Sequence, residues 1–433
     1  MPTRATIRFN ALWLMFERVT TLALSFAVTL AVARHLMPDA FGRFSFLLAL
    51  VSLASPLMAL GLNSIVTREV LQRPKAQHLI IGSSIVMRSL AGAVVAGLML
   101  AVISEYLPGE ELVLFGVLLF STIFNAFAVV DFWLQARMAN RQAALLRLAV
   151  ISVFSLARLL AVWFDAGLPV FIYLLAIEFV VQGLLYLVVY HRLGGGVQTL
   201  RISAEECRTL LRQSRWLLLS GIAAILYLKV DQIMLGVMLD DRAVGIYAAA
   251  ARLSEVWYFV PAAIVTALFP HLIDKRATDT ERYGIDVQKL NDLLFSLALL
   301  VALVVSVTAG WLLPAMFGTA YAESVPVLMV HIWAAILVFM RALLSKWLIV
   351  EELLRLSLLT QVCGAVANVG LNYYLIPLYG PLGAAYATVI SYTVAGYGVL
   401  FFHRDLWPMA MVVTRSICLP YRLVRKGRGL YRS

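Results

Sequence analysis

Apolar stretches of about twenty residues, separated by short charged segments, recur along this whole chain and leave few folds open. A bilayer core is about 30 Å thick, so a crossing helix needs ~20 apolar residues, and backbone groups in lipid must be satisfied within their own segment. About twelve such stretches can be drawn, at 12–34, 41–62, 79–103, 112–136, 145–164, 170–190, 216–239, 244–270, 290–317, 325–348, 356–377 and 382–402. The 433 residues are 62% hydrophobic and 14% charged, with mean hydropathy +0.89, against roughly 45–50% and ~25% in a soluble domain. The expected fold is an all-α polytopic membrane protein with about twelve transmembrane helices. The stretch 406–419, which carries Arg415, is too short to cross and reads as an interfacial helix before the basic tail Arg422, Arg425, Lys426, Arg428 and Arg432. Only Arg4 and Arg8 precede the first stretch, and no small-residue cleavage site follows it, the pattern of an uncleaved signal-anchor.

Basic residues are distributed unevenly between the two sides of such a chain. With the N-terminus in the cytoplasm, cytoplasmic connections collect Arg68, Arg73, Lys75, Arg137, Arg141, Arg147, Arg192, Arg201, Lys275 and Arg276, among others. The opposite side holds Arg34, Arg43 and Arg242 beside Glu105, Glu110, Glu111, Asp240 and Asp241. This bias is what the positive-inside rule predicts, and an even span count places both termini in the cytoplasm. The formal charge of +11 is therefore mostly topology, and no nucleic-acid partner is expected. Cys207, Cys363 and Cys418 lack metal-binding spacing, so neither a metal nor a disulfide framework is expected.

The two halves resemble each other at a lag of about 203–206 residues. Met37 to Phe46 matches Leu239 to Ala249, pairing Gly42 with Gly245 and Phe44 with Tyr247, and Leu107-Pro108 matches Leu313-Pro314. The expected organisation is a six-helix lobe over 1–200, a second over 201–403, and an interfacial helix with basic tail over 404–433. Six spans per half give both lobes the same orientation, so the pseudo-twofold axis runs along the membrane normal with the substrate path between lobes.

Four segments, KVDQIMLG, AVGIYAAAARLSEVWYFVP, LLPAMFGTAYAESVPVL and NVGLNYYLIPLYGPLGAAYATVISY, occur in that order, after an N-terminal VARHLMPDAFGRFSF. With them the chain resembles the polysaccharide-transporter branch of the multidrug/oligosaccharidyl-lipid/polysaccharide (MOP) exporter superfamily, from about Leu12 to Phe402. That resemblance implies a MATE-like fold. It also implies a bacterial inner-membrane flippase that moves undecaprenyl-pyrophosphate-linked oligosaccharides, by alternating access, for O-antigen, capsule or exopolysaccharide synthesis. It further implies a single-chain transport unit working among membrane lipids, beside a polysaccharide polymerase and chain-length machinery. Twelve spans suit this branch better than the larger peptidoglycan-precursor flippases. No cofactor is expected, and no GxxxxGK[ST] motif marks a nucleotide site.

Charges inside the spans define the candidate site. Each costs at least ~2.5–3.5 kcal/mol at bilayer depth, so such residues usually face a partner or a water-filled path. Arg18, Arg88, Lys229, Arg252 and Arg341 are the candidate contacts for an anionic headgroup, Arg supplying a bidentate fork for phosphate and Lys a point charge. Asp231, Glu178 and Glu255 are the candidate ion-coupling or gating carboxylates. Each has a plainer reading: Arg18 snorkelling to the interface, Arg252 neutralised by Glu255 three residues on, Arg341 anchoring with Lys346, and Asp231 in a structural ion pair. Arg158, beside Asp165, reads as structural. His331 and Asp131 fit packing better than a relay, and Asn125, Asn368 and Asn372 fit hydrogen bonding between helices. Trp13, Trp133, Trp216, Trp347 and Trp407 read as interfacial anchors. A multidrug antiporter would favour an acidic cavity, and a polymerase would carry large outer loops. The basic spans and short loops argue against both.

Overall fold

The computed structural model describes residues 4–422 apart from Pro108, Gly195 and Pro420. The tail residues Arg425, Lys426, Arg428 and Arg432 lie outside the described residues. Among the described residues the chain forms α-helices joined by short 3-10 segments, with no strand. It divides into two compact units, Met1–Lys229 and Val230–Ser433.

Unit 1 begins with α1 (Arg4–Ala59), which merges the first two expected spans. Its backbone breaks at Met37, with φ 62° and ψ 170°. Pro38 explains the break, since a residue before proline is pushed out of the helical region. There follow α2 (Asn63–Gln72), α3 (Gln77–Ile103), α4 (Gly109–Ser121), α5 (Val129–Ala136), α6 (Asn140–Trp163) and α7 (Leu168–Leu193). A 3-10 segment, Thr122–Ala128, joins α4 to α5. Helix α8 (Ala204–Met238) starts in unit 1 and ends in unit 2.

Unit 2 continues with α9 (Asp241–Glu255), α10 (Phe259–Thr278), α11 (Thr280–Phe317), α12 (Ser324–His331), α13 (Ala334–Val350), α14 (Leu354–Tyr379), α15 (Pro381–Gly396) and α16 (Trp407–Ile417). The 3-10 turn Val256–Tyr258 separates α9 from α10 where Pro261 cannot donate to the carbonyl four residues back.

Among the described residues, ten helical segments are long and apolar enough to cross a bilayer. The first, Glu17–Gln72, contains two of the expected spans. Helix α14 is not among the ten, yet its 26 residues reach about 39 Å, long enough to cross. Dividing the first segment at Met37 and adding α14 gives about twelve crossings.

The polar connection 271–289 is a helical hairpin: α10 stops at Thr278 and α11 restarts at Thr280, with Asp279 capping the Arg282 N–H at 3.0 Å. One local expectation needs correction. Trp133 and Trp347 are buried, so neither is an interfacial anchor. Trp133 sits in the core of unit 1 with Ile81, Val130 and Tyr190, and its indole N–H donates to Gln77 Oε1 at 2.9 Å. Trp216 and Trp407 are exposed, as anchors require.

Candidate functional site

Arg88 sits in the middle of α3, with only 7% of its surface exposed. It lines a cavity of about 270 Å³ whose wall comes from α1 (Ser52, Ser55, Met58), the 3-10 segment (Thr122, Asn125) and Phe179 of α7. Thr122 and Asn125, three residues apart, lie on one face of the 3-10 segment and both reach the cavity. Arg88 Nη1 reaches Asn63 Oδ1 at 3.4 Å, and its buried Nε has no hydrogen-bond partner. Among the described residues no carboxylate pairs with it. A buried guanidinium without a counter-anion is poised for an anion, for which it offers a bidentate donor fork.

Two half-buried arginines of unit 1, Arg147 and Arg158, are neutralised. Arg147 holds Glu17 through two bonds of 3.0 and 3.2 Å and Asp131 through a third of 2.7 Å. Arg158 pairs with Glu178. Glu178 is thus engaged by a cation rather than held free, and Arg158 does not use Asp165, which lies 3.7 Å from His35. The Glu17–Arg147–Asp131 group was not apparent in the sequence, because Arg147 counts with the cytoplasmic basic residues.

Unit 2 contains the opposite arrangement. Asp231 of α8 is 3% exposed and is held by neutral groups alone. Tyr247 of α9 donates to Oδ2 at 2.8 Å, Thr388 Oγ1 of α15 lies 2.9 Å from Oδ2, and Asn372 Nδ2 of α14 donates to Oδ1 at 2.5 Å. Asn372 also donates to Asn368 Oδ1 at 3.1 Å, and Asn368 donates to Ser391 Oγ at 3.2 Å. Helices α14 and α15 approach closely enough for this because Gly383 has no side chain; a Cβ there would overlap the Leu375 carbonyl. Among the described residues no cation pairs with Asp231, so the ion pair that sequence allows is not found there. Asn372 Oδ1 is buried without a hydrogen-bond partner. Carboxylate, amide and hydroxyl oxygens together make a donor set for a proton or a hard monovalent cation. Among the described residues no group of three or more His, Cys, Asp or Glu is placed to hold a metal.

The remaining predicted residues are dispersed. Arg18 is exposed and Lys229 half-buried, each in unit 1 and neither in an ion pair among the described residues. Arg252 is exposed and Glu255 half-buried in unit 2, and they do not pair with each other. Arg341 is half-buried and donates to the Ala395 carbonyl at 3.3 Å. His331 packs edge-on against Tyr247, with ring centroids 5.6 Å apart, while Asp131 belongs to the Arg147 group in the other unit. Tyr247 and Thr388 were not singled out in the sequence. The only available signal was the polar residue at i and i+4 on α14, Asn368 and Asn372.

The architecture is that of the MOP-superfamily transporters. An inward-facing multidrug-resistance MATE-family transporter of that superfamily aligns with TM-score 0.68 at 16% identity, over 91% of this chain and 95% of its own. The lipid II flippase MurJ, in an inward closed conformation, aligns with TM-score 0.70 at 12% identity, over 96% of this chain and 92% of its own. A family model described as "Polysaccharide biosynthesis protein" matches residues 7–274, and the chain belongs to that family. Two relatives come from Haloferax volcanii. A probable low-salt glycan biosynthesis flippase is 24% identical over 194 residues, 44% of this chain and 41% of the relative. The probable flippase AglR is 30% identical over 211 residues, 46% of this chain and 43% of the relative. The chain thus matches less than half the length of either.

Proposed function

We propose that this protein is a lipid-linked oligosaccharide flippase of a bacterial cytoplasmic membrane, with both termini in the cytoplasm, working by alternating access. The observation that carries this reading is Arg88, a buried guanidinium with no carboxylate partner in a polar cavity. A sugar carried on a lipid pyrophosphate brings an anion that is very costly to desolvate alone, and a fixed cation along the path lowers that cost. The family membership and the names of the two relatives support the same direction. The arginine also argues against an exporter of cationic drugs, which would meet repulsion there.

Asp231 is the proposed coupling site of this machine. Its neutral-donor shell lets it take up a proton or a monovalent cation, with Asn372 Oδ1 as a further ligand, without first breaking a salt bridge. Arg18, Lys229, Arg252 and Arg341 are proposed as secondary headgroup contacts, and Glu255 as a gating residue. Glu178 is the weakest candidate, because Arg158 already neutralises it.

Deletion of the gene in its host, followed by extraction of polyprenyl-linked intermediates and assignment of their leaflet, tests the reading. Complete repeat units accumulating on the cytoplasmic leaflet, with surface glycan lost, are expected. The wild-type gene should restore export, whereas Arg88→Gln should not at matched protein level. Intact surface glycan after deletion would overturn the proposal.

A further inference from the structure

A further cavity in unit 2 lies away from both charged sites. It measures about 490 Å³ and is framed by the ends of four helices: Arg276 of α10, Tyr283 of α11, Trp347 and Glu351 at the end of α13, and Asp405 and Pro408 at the start of α16. Arg276 donates to Glu351 through Nε and Nη2, both at 3.0 Å, which leaves Nη1 for another acceptor. The guanidinium lies 5.9 Å from the Tyr283 ring centroid. Tyr283 is 5% exposed, and its buried hydroxyl interacts with the Glu351 carboxylate without closing a short hydrogen bond. Trp347, 7% exposed, forms an aromatic wall. Asp405 is open to solvent, with His403 Nδ1 at 3.6 Å.

We propose that this cavity binds the headgroup of a phospholipid that joins a phosphate to a primary ammonium, as in phosphatidylethanolamine. Two carboxylates and one guanidinium leave the wall with a net negative charge, so a ligand that brings a cation is favoured over an anion. The ammonium meets Asp405 and the outer face of Glu351, beside the aromatic wall that a cation also prefers. The phosphate accepts from Arg276 Nη1 and draws the Tyr283 hydroxyl from its loose contact with Glu351, while the ammonium takes over that carboxylate. Apolar Val287, Leu353 and Val412 line the same cavity and suit the start of a lipid tail.

The depth is right for a headgroup. Residues 293–317 of α11 carry no charge, and Val287 lies six residues before that run, about 9 Å along the helix, near the polar layer flanking a bilayer core. Helix α16 closes the cavity as an amphipathic wall. It buries Met409, Ala410 and Val413 and exposes Trp407 and Met411. It is tied to α11 where Ser416 donates to Asp292 at 2.6 Å and Arg422 pairs with Asp292 at 3.2 Å.

The test measures thermal unfolding of the full-length protein in detergent with added lipid, which reads binding without reading transport. Phosphatidylethanolamine should raise the wild-type Tm by about 4 °C, by preferential binding to the folded state, while phosphatidylglycerol and phosphatidylcholine give much less. Tyr283→Phe, which removes only the hydroxyl, and Asp405→Asn, at an exposed position, should each lose most of that rise and keep the lipid-free Tm. Equal rises from all three lipids, or an undiminished rise in both variants, would overturn the proposal. Soluble phosphorylethanolamine matching the lipid's effect would also overturn it, by showing that a free zwitterion suffices.

Discussion

Arg88 in unit 1 and Asp231 in unit 2 are mirror images in charge logic. Among the described residues one is a buried cation with no counter-anion, the other a buried anion with no counter-cation. Elsewhere in unit 1 buried charges are matched within the protein, Arg147 by Glu17 and Asp131, and Arg158 by Glu178. Desolvation of an unmatched ion is costly, so a chain that matches some charges and leaves others unmatched sorts structural charges from working ones. On this reading Arg88 awaits an anion from the substrate and Asp231 a cation from the coupling gradient.

The matched pair sets the largest expected effect. Arg158→Gln alone strands Glu178 and should cost ~3–5 kcal/mol of stability, seen as loss of folded protein, whereas Arg158→Gln with Glu178→Gln should recover much of it. If the single variant folds normally but exports poorly, the pair is functional and the contrast fails. Arg88→Gln should leave protein level intact and reduce export ~10–100-fold, the loss of a charged hydrogen-bond partner worth ~1.5–3 kcal/mol. Asp231→Asn should slow flipping in proteoliposomes at least about tenfold, roughly 1.4 kcal/mol, and abolish its response to an imposed proton or sodium gradient. An unchanged gradient response would remove Asp231 from coupling. Thr388→Val deletes one neutral contact worth ~0.5–1.5 kcal/mol and should move the half-saturating cation concentration by only ~2–10-fold.

Much of the fold was legible because bilayer thickness imposes a length on every crossing helix. About twelve crossings follow from apolar run lengths, and the break at Met37 follows from Pro38. Helix boundaries in polar stretches were less legible, as 271–289 shows, because charged residues favour a solvated helix as readily as a loop. The depth of Arg88, Lys229 and Asp231 in the spans was likewise visible. Their partners were not, since a charge in a span has the same one-dimensional pattern whether it meets a carboxylate, an amide or nothing.

Sequence by itself determined that this chain crosses a membrane many times and which ionisable groups are carried into it, because hydropathy and spacing are properties of the chain alone. Only tertiary structure decided that Arg158 is neutralised and Arg88 is not, and that Asp231 is held by Tyr247, Asn372 and Thr388. Those facts depend on which helices pack together and at what rotation. The close approach of Gly383 to the Leu375 backbone, across the turn between α14 and α15, fixes one such pairing.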